Sequence, residues 1–287
     1  MDSATQVDVN GRRARIFAQG DRHESPILLL HGIGRSLEDW APQFPHYRQA
    51  GYRLIAPDLP GSGFSDRLPT ATTLRALAQG VIETLDALGE VSRLHVMGNS
   101  LGGAVALQLL ALQPDRVATL VLADSAGFGS ELHPMMRLVA TPVIGSVAAR
   151  YTATRASARM TERLLYVDQS FATEARIEHA LKIARHTDAG VILHETAQIL
   201  GTSRGVRPEW RTKLLAEVSN HPRPTLIVWG DRDRILPMRQ LEAAHRLLPH
   251  ARVHLFEGIG HMPQIEAEDE FAELTLDFLR STATAQR

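Results

Sequence analysis

Six short, largely apolar runs restrict the fold of this chain more than any other feature. They are residues 26–30 (PILLL), 52–56 (YRLIA), 94–97 (LHVM), 118–123 (ATLVLA), 225–229 (TLIVW) and 252–256 (RVHLF). Runs this short, without polar alternation, suit strands buried on both faces. Such strands belong to parallel sheets covered by helices above and below.

Helical patterns fill the gaps. Leu74, Leu77, Ala78, Val81, Ile82, Leu85 and Leu88 recur at helical spacing, and Gly89 follows as a stop. Residues 101–112 read as a Leu-rich helix ended by Pro114, and residues 238–248 and 266–279 as two more. At the start, Val7 and Val9, then Asn10-Gly11, then Ala14, Ile16 and Ala18 predict a hairpin, because Asn-Gly suits a turn that needs positive φ twice. The expected class is therefore α/β, with a mostly parallel, doubly wound sheet.

Residues 128–223 break the rhythm. They carry no strand signal, only helical segments such as 173–186 and 189–200. The expectation is a helical cap or lid at 128–223, inserted into a core made of residues 1–127 and 224–287. Met135, Met136, Leu138, Val139, Val143, Ile144, Leu164 and Leu165 would either line an acyl tunnel or form the cap's own small core.

Charge and composition exclude several functions. Lys+Arg is 31 against Asp+Glu 32, a net charge of −1, so nothing drives nucleic-acid or anionic-membrane binding. Zero cysteines rule out disulfides, thiolate metal sites, iron–sulfur clusters and a Cys nucleophile, and fit a reducing compartment. The N-terminal segment has no basic start followed by an apolar block, and residues 139–149, a longest apolar stretch, are far too short to span a bilayer. A cytoplasmic protein is expected.

The chemistry begins at Gly98-Asn99-Ser100-Leu101-Gly102, between the 94–97 run and the 101–112 helix. A strand-turn-helix this tight raises the Ser100 hydroxyl above the sheet at a helix N-terminus, where backbone N–H groups favour an oxyanion. Residues two before and two after the Ser must lack bulk, hence Gly98 and Gly102. A Ser nucleophile needs a His base, and the base needs a carboxylate to orient it. Thirteen His are present, so a His alone means little. His261 stands out because Gly258 and Gly260 let the loop after the 252–256 run bend over the strand ends.

Four motifs together resemble the α/β-hydrolase fold superfamily, in particular serine hydrolases with a helical cap such as carboxylesterases and ring-cleavage-product C–C hydrolases. They are His31-Gly32-Ile33-Gly34, residues 58–65 (DLPGSGFS), the Ser100 turn and Gly260-His261. The resemblance covers nearly the whole chain. It implies an oxyanion hole from the N–H groups of Ile33 and Leu101, with His31 structural. It implies a chain order of Ser, acid, His. Asp233, fourth in Gly230-Asp231-Arg232-Asp233, fits the acid position. Asp124, which ends the 118–123 run, is the alternative acid that some relatives use, while Asp231 and Asp58 read as turn residues.

No Walker-type loop or complete G-x-G-x-x-G exists, and His179, His186 and His194 lack zinc-binding spacing, so no cofactor or metal is implied. The expected activity is hydrolysis of a carboxylic ester by Ser100, His261 and Asp233, on a moderately hydrophobic small molecule. The alternatives are C–C hydrolysis of a vinylogous diketone and a non-catalytic ligand-binding protein of this fold. Against the C–C hydrolases stand Gly34-Arg35-Ser36 and His261-Met262-Pro263, where those enzymes carry Pro-Gly and Trp.

Overall fold

All six apolar runs lie side by side as parallel strands of one eight-stranded sheet. The computed structural model describes residues 4–150 and 153–284. The chain opens with the hairpin β1 (Thr5–Val9) and β2 (Arg12–Gln19), turned at Asn10 and Gly11, both at positive φ. Then come β3 (Pro26–Leu30), α1 (Phe44–Gln49), β4 (Arg53–Pro57), α2 (Leu74–Ala87), β5 (Leu94–Asn99), α3 (Leu101–Leu112) and β6 (Val117–Ala123). Five helices follow: α4 (Pro134–Val139), α5 (Pro142–Arg150), α6 (Arg155–Leu165), α7 (Glu174–Ala184) and α8 (Ala189–Leu200). A small hairpin, β7 (Gly201–Thr202) and β8 (Gly205–Val206), leads to α9 (Pro208–Ser219). The chain ends with β9 (Thr225–Gly230), α10 (Arg239–Leu247), β10 (Arg252–Phe256), α11 (Pro263–Glu266) and α12 (Glu268–Thr284). The strand order is β1-β2-β4-β3-β5-β6-β9-β10, with only the β1–β2 and β2–β4 pairs antiparallel.

The parallel strands are apolar throughout because both faces are covered. Leu28, Leu30, Val96, Leu120 and Ile227 pack toward α2, α3 and α9 in one core cluster. Their sequence neighbours Ile27, Leu29, Met97, Val121 and Val228 pack with Trp40, Tyr47, Phe271 and Phe278 on the other face. Each such side chain contributes about 1.5–3 kcal/mol by burial. β10 departs from the expectation: it is the edge strand, and Arg252 and Val253 are exposed. It has one strand neighbour, and its apolar Val253 and Leu255 lie on the exposed face while Phe256 is buried on the other.

The stretch without apolar runs is helical, as expected, except for β7–β8. A two-residue strand is too short to leave a period in the sequence. Met135 and Met136 line a cavity, Val139 packs with Ala140 and Ala197, and Val143 and Ile144 are exposed. Met135, Met136, Leu138 and Val139 thus line space, while Leu164 and Leu165 pack with the main core cluster. α9 belongs with the sheet, because Leu214 and Val218 join the main cluster. Ion pairs fasten α6 and α8 to the loops at the sheet's edge, Arg35 to Glu162 and Arg67 to Glu195. The C-terminal helical pattern at 266–279 is broken into α11 and α12 at Ala267. Among the described residues, no helix is long and apolar enough to cross a membrane.

The start of α3 packs against the end of β3 with no room for a side chain. A Cβ at Gly102 would lie 2.1 Å from the Leu30 carbonyl oxygen, and one at Gly98 would lie 2.3 Å from Gly102 O. Gly102→Ala should therefore lower stability by about 3 kcal/mol or more, since backbone cannot yield as a side chain can. Gly258 has φ +73 and nothing within 4 Å of an added Cβ, so Gly258→Ala should cost only about 1–2 kcal/mol. Urea unfolding midpoints of the two variants check the contrast.

Candidate active site

Ser100 sits at φ 56, ψ −117, between β5 and α3, in a conformation that L residues rarely adopt. The surroundings hold it there. Ser100 N donates to Ala123 O of β6 at 3.0 Å, and Ser100 O accepts from Gly103 N and Ala126 N. Strain of this kind persists only where neighbours over-determine it. Leu101 is the first residue of α3, so its N–H has no partner within the helix. Ile33 lies in the loop after β3, and Ile33, Ser100 and Leu101 line one small apolar pocket with Trp210 and Leu236. Gly32 keeps that loop close to the nucleophile: an added Cβ would sit 3.4 Å from Ser100 Cβ.

His261 is buried in the loop after β10. Its Nδ1 lies 2.7 Å from Asp233 Oδ2. The other Asp233 oxygen accepts from Ile235 N at 2.7 Å and Leu236 N at 3.0 Å. Both oxygens of Asp233 are therefore held by N–H donors, two on one and the imidazole on the other. The proton on Nδ1 leaves the Nε2 lone pair free to accept.

Asp124 reaches the same place but not the imidazole Nδ1 bond. It is fully buried at the end of β6, at φ 44. Asp124 Oδ1 accepts from Gly230 N at 3.0 Å. No protein hydrogen-bond partner faces its buried Oδ2. One ligand atom from each of Asp124, Asp233 and His261 lies within 4.8 Å of the others. Burial, and after it the charge of Asp233, hold the Asp124 carboxyl well above the ordinary carboxylate range. Within the trio, Asp233 and His261 spend one atom each on the other, while Asp124 spends Oδ1 on the backbone.

The remaining candidates go to structural tasks. His31 Nδ1 donates to Gly32 O at 2.8 Å and its Nε2 accepts from Leu59 N at 2.9 Å, so both ring nitrogens are used by backbone. Asp231 accepts from Gly258 N at 2.7 Å, and Asp58 accepts from Leu37 N and Phe64 N. His179 bonds Ser36, His186 stacks edge-on against Phe64, and His194 bonds Val139 O. They do not converge.

Two residues of the site escape local sequence reasoning. Asn99 Nδ2 donates to His261 O at 3.0 Å and to Ala123 O at 3.2 Å, tying the nucleophile's turn to the base's loop. Glu266 accepts from Gly260 N at 2.7 Å through one oxygen, and from Val167 N and Asp168 N at 2.7 and 2.6 Å through the other. His261 N itself donates to Leu165 O. Asn99 lies inside the Gly-Asn-Ser motif, whose spacing signals only the Ser. Glu266 has no signal, since two of its three partners, Val167 and Asp168, are almost a hundred positions away.

A family model described as alpha/beta hydrolase fold matches residues 25–268. The dihydrolipoyllysine-residue acetyltransferase component of an acetoin cleaving system from Pseudomonas putida is 33% identical over 276 residues, 96% of this chain and 69% of that one. Lipase 1 from Psychrobacter immobilis is 32% identical over 275 residues, 95% of this chain and 82% of that one. A meta-cleavage product hydrolase from Pseudomonas fluorescens superposes with a TM-score of 0.80 at 24% identity, covering 96% and 97% of the two chains.

The unequal carboxyls generate a paired prediction. Asp233→Asn presents an amide that can hold the wrong imidazole tautomer and should cost about 10⁴ in kcat. Asp124→Asn keeps a neutral group with an acceptor for Gly230 N and should cost less than about tenfold. The sign of its effect on stability follows from linkage. Asp124 binds its proton more tightly folded than unfolded, so it weakens the fold progressively as pH rises above the unfolded carboxyl range. The stabilisation gained by Asp124→Asn should therefore grow between pH 5 and pH 8, read from denaturant midpoints.

Proposed function

The chain belongs to the α/β hydrolase fold family, and from that premise we propose that it is a cofactor-free serine hydrolase of carboxylic esters. One observation carries the reading. A doubly fixed Asp233 holds His261 in a loop tethered through Asn99 to a Ser held at φ 56.

The chemistry follows. His261 Nε2 takes the Ser100 proton as Oγ attacks the ester carbonyl. The tetrahedral oxyanion is held by the N–H groups of Ile33 and Leu101, worth about 2.7–4 kcal/mol per donor where such groups have been removed. Protonated His261 then passes the proton to the departing alcohol, leaving Ser100 acylated. Water attacks the acyl-enzyme with His261 again as base, releasing the acid. Asp233 stays ionised throughout and stabilises the imidazolium. The same acyl-enzyme would serve an acyltransferase, the class named for the Pseudomonas putida relative. The acceptor that reaches it decides between the two.

C–C hydrolysis of a vinylogous diketone is the second reading. It is favoured by Gly98-Asn99-Ser100, which ring-cleavage-product hydrolases share, and opposed by Gly34-Arg35-Ser36 and His261-Met262-Pro263. A binding protein without turnover is the third.

A p-nitrophenyl ester and a vinylogous diketone assayed side by side separate the three. Ester turnover with the diketone at least a hundredfold slower supports the first reading, the reverse supports the second, and neither supports the third. Ser100→Ala should remove turnover to below about 10⁻³ of the parent and abolish labelling by a fluorophosphonate, with an unchanged circular dichroism spectrum. Labelling that persists would assign the nucleophile elsewhere.

A further inference from the structure

The apolar space beside Ser100 has two parts. The part at the nucleophile has a volume of about 50 Å³. A second, under α4, α6, α7 and α8, has about 340 Å³. Ile33 and Met136 line both and form the wall between them. At about 30 Å³ per water-sized group, the first accepts one or two such groups and the second about ten. A substrate with its carbonyl at Ser100 must therefore be lopsided: one short arm, one long.

The larger chamber is apolar apart from a few groups. Among the described residues lining either part, Arg35 is the one that carries a charge. That charge is already committed. Arg35 Nε and Nη2 donate to the two oxygens of Asp39 at 2.9 and 2.7 Å, and Nη1 donates to Glu162. Asp39 and Glu162 are both buried. With that guanidinium spent on Asp39 and Glu162, a substrate carboxylate entering the chamber meets apolar walls and no uncommitted cation among the described lining residues, in a medium of low dielectric. A hydrocarbon chain meets Leu138, Val139, Ile183 and Leu193.

We propose that the chamber beyond Ile33 and Met136 binds a single uncharged hydrocarbon arm of the substrate, about ten methylene-sized groups long, while the short arm stays at Ser100. The proposal rests on the ester reading above. The acyl side and the alcohol side of an ester would supply the same chemistry, and the experiment tells them apart.

The test uses the intact protein and two homologous series: ethyl esters from acetate to decanoate, and acetate esters of ethanol to decanol. Burying one methylene is worth up to about fourfold. The expected result is a rise in kcat/KM of at least tenfold from the shortest to the decyl member in one series, which identifies the arm. Within that series the analogue ending in a carboxylate (the monoethyl ester of sebacic acid, or the acetate of 10-hydroxydecanoic acid) should fall at least tenfold below its methyl-ended counterpart. Ala184→Phe, which adds a ring to the far wall, should cut the decyl-to-acetyl ratio at least tenfold. A flat profile in both series, with esters still turned over, overturns the proposal and leaves the ester reading intact. So does a carboxylate-ended analogue that matches its counterpart, or a folded Ala184→Phe with an unmoved ratio. If no ester is turned over at all, the ester reading itself fails.

Discussion

Gly102 lies where no side chain fits. The N-terminus of α3 crosses the end of β3 so closely that a Cβ there would overlap the Leu30 carbonyl oxygen, and a Cβ at Gly98 would overlap Gly102. This clearance decides the rest of the site. It lets the chain leave β5 and enter helix within one residue, which forces Ser100 to φ 56. It brings the first N–H of α3 beside the loop that follows β3, where Ile33 lies. It also sets Ser100 level with Ala123 and Ala126, through backbone bonds that join β5 to β6 and to the start of the helical stretch. A Ser on an ordinary loop would be free to turn away, whereas Ser100 is held by hydrogen bonds on both its N–H and its carbonyl.

Behind His261, two buried carboxyls stand together in unlike surroundings. The difference lies in what each oxygen meets. Asp233 has two backbone N–H groups on Oδ1 and the imidazole Nδ1 on Oδ2. Asp124 has one backbone N–H on Oδ1 and no hydrogen-bond partner for Oδ2. Burial, with the charge of Asp233 beside it, accordingly pushes the Asp124 carboxyl up. The contrast is set by local N–H geometry, not by which residue lies nearer in sequence to Ser100 or His261.

The helical stretch between β6 and β9 is bound to this frame by few but buried contacts. Glu266 clamps the backbone of Val167 and Asp168 while holding Gly260 N, so the loop carrying His261 and the loop after α6 share one carboxylate. Arg35 does the same from the other side, reaching Asp39 in its own loop and Glu162 on α6. Movement of α6 would thus be felt by both the base loop and the loop that carries Ile33.

The order of strands and helices, the Asn10-Gly11 hairpin, the helical stretch and the Ser100 turn were all legible in the sequence. Each depends on residues close in the chain: apolar runs, helical periods, glycines two positions from a Ser. The edge position of β10 was not, because a run of five residues does not say how many neighbours it will have. The preference for Asp233 over Asp124 came from the resemblance, through the Gly230-Asp231-Arg232-Asp233 position, but how each carboxyl is held was not legible. Only the fold brings the N–H groups of Ile235 and Leu236 to one carboxylate and leaves Asp124 with a single donor. Asn99, Glu266 and the neutralised Arg35 belong to the same class. Their meaning lies in partners that the chain delivers from more than ninety positions away, and only the folded sheet, by bringing β3, β5, β6, β9 and β10 to a common edge, decides who those partners are.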